Sequence, residues 1–173
     1  GGGSAEEAPS SAEARICHVN LANACSAAGD HAAAASHYRS VSSSVQSGDA
    51  TILAALGYSL VMQGDVPGGV ASYKSALAVL DQSAGGRRRA VEISVEAGRL
   101  CAAVGQFDMA LQFLGDGQAT MGGELPGAAL IAKTTVQLLK PAQDHDETVH
   151  AVEALRRSAV SGAISHREYR RLA

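Results

Sequence analysis

The chain has no tryptophan, two phenylalanines and four tyrosines in 173 residues, so a core has to be assembled from small and aliphatic side chains. Cysteine is scarce too. Cys17, Cys25 and Cys101 form an odd set with no CxxC pair, poor material for a disulfide framework or a four-ligand zinc site, and a reducing compartment fits. Cys17 and Cys25 stand about two helical turns apart, too far along an axis to bond to each other. All three are expected to serve as buried small hydrophobes. No apolar run approaches the roughly 18 residues of a membrane span, and the start carries no charged-then-apolar leader. A cytoplasmic protein with no membrane partner is the expectation. Charge of neither sign dominates, with Lys+Arg 14 against Asp+Glu 17, so nucleic acid is not the expected main partner.

Alanine is abundant: 34 residues in a chain that is 46% apolar and 18% charged. That composition is globular, long enough for one domain, and favours closely packed helices. Residues 1–14, GGGSAEEAPSSAEA, hold no large apolar side chain, resemble a synthetic linker at GGGS, and are expected to form a flexible lead-in. From Arg15 onward helical periods are broken in three matching contexts, CSAAGDHAAAASHY, LVMQGDVPGGVASY and CAAVGQFDMALQFL. In each, Gly29, Gly64 or Gly105 is placed to end a helix in the left-handed conformation, and Asp30 or Asp65 to cap the next. The unit is helix, tight turn, helix. Gly29 to Gly64 is 35 residues and Gly64 to Gly105 is 41, near the period of a two-helix repeat with one lengthened connection.

These residues resemble the tetratricopeptide repeat, in which small residues sit where the first helix of a hairpin crosses the second. The best copy has Leu56-Gly57, the turn Gly64-Asp65, Tyr73 and Ala76-Leu77. The first keeps Leu21-Ala22, Gly29-Asp30, Ala34 and Tyr38; the third keeps Gly98, Gly105, Ala110 and Leu111, with Leu114 in place of the aromatic. Gly69 departs from the usual Ala, and no copy has the terminal Pro. The resemblance covers residues 15–120, and the segment DQSAGGRRRAVEISVEAGRLCAAVGQ is similar to the longer-period form of kinesin light chains and related adaptors. It implies an all-α, right-handed helix-hairpin solenoid of about three repeats, followed by capping and tail helices in residues 121–173.

In that last segment Pro126 and Pro141 bracket a helix that would cap the stack, with Ile131, Val136 and Leu139 partly inward. A second helix is expected over 146–160. Ser165-His166-Arg167-Glu168 reads as a capping box with Ile164 and Tyr169 as its staple. The run GAIS followed by EYRRL also resembles short tail modules of oligomerising bacterial proteins, which leaves a homo-oligomer open against the plainer reading of a terminal helix.

Catalytic signatures are missing: there is no GxSxG elbow, no phosphate loop, and no Cys with a His at a recognisable spacing. Glu147 and His150 are spaced i, i+3, but one such pair is insufficient for a di-metal site, and His18, His31 and His37 fall at unrelated phases. No enzyme activity, cofactor or metal is expected. Arg87-Arg88-Arg89 reads as a solvated connection between repeats or as a protein contact, since Glu92 and Glu96 follow at once and no aromatics are interleaved for stacking on bases; Arg156-Arg157 and Arg170-Arg171 add charge near the end.

The resemblance implies a concave groove that takes a peptide or helix of a partner protein. Its groove-facing positions fall on Ile16, Val19 and Asn23, then Thr51, Ala54, Tyr58 and Met62, then Glu92, Val95 and Arg99. Tyr58 and Met62 at the centre suit an apolar side chain. Of the five-residue carboxylate clamp of chaperone-binding relatives only Asn23 survives; Val19, Ala55, Glu92 and Glu96 hold the other positions. A basic or neutral ligand is therefore expected over an acidic one. The function implied is a non-enzymatic adaptor or scaffold. A chaperone of secreted proteins is the alternative, weakened by the broken 34-residue period, and an enzyme with an unrecognised site stands third.

Overall fold

The computed structural model describes residues 11–43, 49–81, 83–120, 133, 135 and 136. Up to residue 120 these form six helices, α1 (Ser11–Ala27), α2 (His31–Ser43), α3 (Ala50–Met62), α4 (Val66–Ala78), α5 (Ala84–Ala103) and α6 (Phe107–Thr120), and 133, 135 and 136 are helical as well. Among the described residues there is no strand. The chain divides into two compact units between Val79 and Leu80, so α1–α4 belong to the first and α5–α6 to the second.

Local chemistry sets the helix boundaries. Gly29, Gly64 and Gly105 have φ of 83°, 98° and 77°, the left-handed region where a Cβ would be strained. Around each, the next residue's N–H reaches back to a carbonyl five residues earlier: Asp30 to Cys25 at 2.9 Å, Asp65 to Leu60 at 2.8 Å and Gln106 to Cys101 at 2.8 Å. That bond closes a Schellman cap and satisfies a carbonyl the helix would otherwise orphan. Helices α2 and α4 start on side-chain caps as expected, with the Asp30 carboxylate accepting from Ala33 N–H and the Asp65 carboxylate from Gly68 N–H, both at 3.0 Å. Asp49 and Ser83 cap α3 and α5 in the same way.

Three hairpins result, α1–α2, α3–α4 and α5–α6, each packed along its length. They share one register. Counting from Ala22, Gly57 and Gly98, the turn glycine comes seven residues on, Ala34, Gly69 and Ala110 twelve, Tyr38, Tyr73 and Leu114 sixteen, and Val41, Ala76 and Gly117 nineteen. Apart from the turn glycines every one of these positions is buried. In the second hairpin a Cβ on Gly57 would lie 2.9 Å from Cδ2 of Tyr73 and 3.0 Å from the Gly69 carbonyl; one on Gly69 would lie 2.8 Å from the Gly57 carbonyl. Gly69, a departure from the repeat pattern in sequence, is thus what lets the two backbones meet. In the third hairpin Leu114 takes the aromatic's place, its Cγ 2.7 Å from where a Gly98 Cβ would stand.

Within the first unit α2 also packs on α3, and Ala22, Ala34, Ala35, Tyr38, Val41, Ile52, Leu56 and Leu60 form one continuous core, with Val19, Cys25 and Ala55 against it. In the second unit Ile93, Ala97, Cys101, Phe113 and Leu114 are buried. Val136 is buried there as well, and Lys133 Nζ donates to Gln118 Oε1 at 2.7 Å.

Four expectations need correction. Helix α1 begins at Ser11, so 11–14 belong to a helix rather than a flexible lead-in: Ser-Ala-Glu-Ala is adequate helix material once tertiary packing of α1 supports it. Arg87, Arg88 and Arg89 lie inside α5, which the Ser83 cap starts at Ala84, and not in a connection. Cys17 is exposed and Cys25 half-buried, because only one stripe of α1 faces α2; Cys101 alone is a buried hydrophobe. Ala54, placed in the groove, is buried. Of the helix expected between Pro126 and Pro141 only 133, 135 and 136 are described; all three are helical and Val136 is buried, as expected of an inward position. The helix expected over 146–160, the capping box at Ser165, the Glu147/His150 pair and the arginines beyond 155 lie outside the described residues.

Candidate functional site

Helix α3 carries the centre of the expected groove. Its capping at Asp49 places Thr51 in the first turn, exposed, while Tyr58 and Met62 follow one turn apart on a single stripe. Met62 is 44% exposed, unusual for a large apolar side chain on a core-building helix. Tyr58 is half-buried, and its ring meets the ring of His31 edge-on, centroids 5.7 Å apart and planes at 77°. His31 opens α2 directly after the Asp30 cap, and its Nδ1 is buried without a hydrogen-bond partner.

On α1, Ile16 is 60% exposed, Val19 leans on the core and Asn23 is exposed. Asn23, the one position matching a carboxylate clamp, accepts the Tyr38 hydroxyl at 2.6 Å. Burial pushes the Tyr38 phenol above its ordinary pKa.

Glu92, Val95 and Arg99 all lie on α5 in the second unit, Val95 half-buried and the other two exposed. Glu92 is held by its own helix: Arg89 Nη1 donates to Oε2 at 2.9 Å and Arg88 Nε stands 3.5 Å from Oε1. The Arg89 hydrogen bond, with the charges of Arg89 and Arg88, holds its carboxyl below the usual glutamate value. These i, i+3 and i, i+4 pairs set the arginine triplet's charge against Glu92 rather than leaving the carboxylate as a bare selector.

Sequence reading missed the histidines' relationships. His18 and His37 were placed at unrelated phases, yet their Nδ1 atoms face each other at 3.1 Å, ring centroids 5.3 Å apart and planes at 43°. The signal is the shared register. His18 lies one turn before Ala22 and His37 immediately before Tyr38, so the crossing that stacks Tyr38's position over Ala22's also brings the imidazoles together. Among the described residues no three His, Cys, Asp or Glu side chains are grouped as for a metal ion, and no helix is long and apolar enough to cross a membrane. No model of a known protein family matches the chain, and no curated protein matches its sequence.

Proposed function

We propose that the chain is a tetratricopeptide-like helical-repeat adaptor, cytoplasmic and non-enzymatic, that binds a peptide or helix of a partner protein. The observation that carries this reading is the common register of the three hairpins, in which small residue, turn glycine, small residue and bulky side chain recur at identical offsets. Repeats of that kind stack into solenoids, and capping helices after residue 120 would cover the last apolar face. Such surfaces bind extended partners.

The partner's anchor is assigned to Tyr58 and Met62, a half-buried ring and an exposed thioether one turn apart. On the second unit, Glu92, Val95 and Arg99 of α5 are the proposed ligand-facing positions. A basic or neutral ligand is preferred, since Val19, Glu92 and Glu96 stand where carboxylate-binding relatives have a cation and Ala55 where they have an amide. Selection of peptides from a displayed random library on the full chain tests the reading. Selected peptides should share an apolar anchor, lack acidic clusters, and lose roughly 1 to 3 kcal/mol of affinity for Tyr58→Ala. Failure to select any peptide, or equal binding by Tyr58→Ala and Met62→Ala, would remove it.

A further inference from the structure

We propose that His18 and His37 form a two-imidazole chelate for a divalent late transition metal ion. The Nδ1 atoms are 3.1 Å apart, projected from two helices whose packing fixes their separation. An ion 2.0–2.1 Å from each nitrogen would see them at an angle of about 100°, between the octahedral and tetrahedral values. The bite is thus set before any ion arrives. Because the centroids are 5.3 Å apart while the nitrogens are 3.1 Å apart, the Nδ1 edges face one another, and a turn of each ring by about 40° from the N···N axis would aim the lone pairs at a common ion.

The protonation chemistry is compatible. In the metal-free pair one neutral ring carries its proton on Nδ1 and donates it to the bare Nδ1 of the other. On coordination that ring shifts its proton to Nε2, so both rings present an Nδ1 lone pair with no net proton release.

The hairpin does not require imidazoles here. In the shared register the corresponding pairs are Leu53 with Ser72 and Ser94 with Phe113, so an apolar or small pair serves the same crossing. One turn away stand Ala14, Arg15 and Ala22 on α1 and Ala34, Ser40 and Val41 on α2, none of them a carboxylate or thiolate. The ion would keep water at its remaining positions. Nitrogen-only donation selects copper, nickel and zinc over magnesium and calcium, with Cu²⁺ bound most tightly.

The test is calorimetric titration of the full chain with Cu²⁺, Ni²⁺ and Zn²⁺ salts, beside His18→Leu and His37→Ser, which copy the second hairpin. Each variant should weaken the tightest Cu²⁺ site at least about tenfold, since losing a ligand costs no less than losing an outer-shell partner. Unchanged affinity in either variant, or no binding by the parent chain, would overturn the proposal. A readout on the parent chain avoids any folding defect of the variants: substoichiometric Cu²⁺ should broaden the ring signals of His18 and His37 together. If both stay sharp, the chelate does not exist.

Discussion

The Tyr38 hydroxyl donates to Oδ1 of Asn23 at 2.6 Å, tying the middle of α2 to α1 across the Gly29 turn. The ring is 4% exposed and belongs to the core, so the phenol is buried with its polar end reaching an exposed amide. Tyr38→Phe and Asn23→Ala should each cost about 0.5–1.5 kcal/mol in urea unfolding. The double variant should lose less than the sum, because both remove one bond. Alkaline titration gives a second check. Since the folded phenol's pKa is raised, its contribution is complete below the ordinary tyrosine value and disappears as pH rises through the folded value. Tyr38→Phe should flatten that part of the stability curve.

Glycines at the crossing and at the turn should fail for different reasons. Gly57→Ala places a Cβ against Tyr73 and the Gly69 carbonyl and should cost about 1–3 kcal/mol by overpacking. Gly64 has open space around it, so Gly64→Ala carries only the left-handed backbone penalty, about 1 kcal/mol. Shaving Tyr73 to Ala should reduce the cost of the first, with the Gly69 carbonyl still in the way, and leave the cost of the second unchanged, as thermal unfolding of the single and combined variants will report.

Glu92 offers a pH signature. Its carboxyl is held low chiefly by the Arg89 hydrogen bond, so the stabilisation is present above the ordinary glutamate value and lost as pH falls through the lowered one. Side-chain NMR titration should give a midpoint below that of a free glutamate. Arg89→Gln should move it up and Arg99→Gln should not.

The three thiols should separate by exposure. Cys17 is exposed and should react with a thiol reagent at once, Cys25 more slowly, and Cys101 only on unfolding. Burial raises the Cys101 thiol pKa and so depletes its thiolate as well as its access. Counting thiols released with and without denaturant checks this.

What the sequence determined by itself is local. Gly29, Gly64 and Gly105, with Asp30 and Asp65 after them, dictate where helices stop and start, because the left-handed cap and the side-chain bond involve residues within five positions of one another. The repeat in Leu56-Gly57 and Tyr73 was legible for a related reason, since its offsets are printed in the chain. Helix phase against a neighbour is a different kind of property. Whether Cys17 is buried, whether Gly69 is a defect or the point where two backbones touch, whether Asn23 is free or bonded to Tyr38, and whether His18 meets His37 all depend on how α1, α3 and their partners rotate as they pack. Only the tertiary structure decided these, because a rotation of one residue about a helix axis, about 100°, exchanges a core position for a solvent position without altering the local pattern.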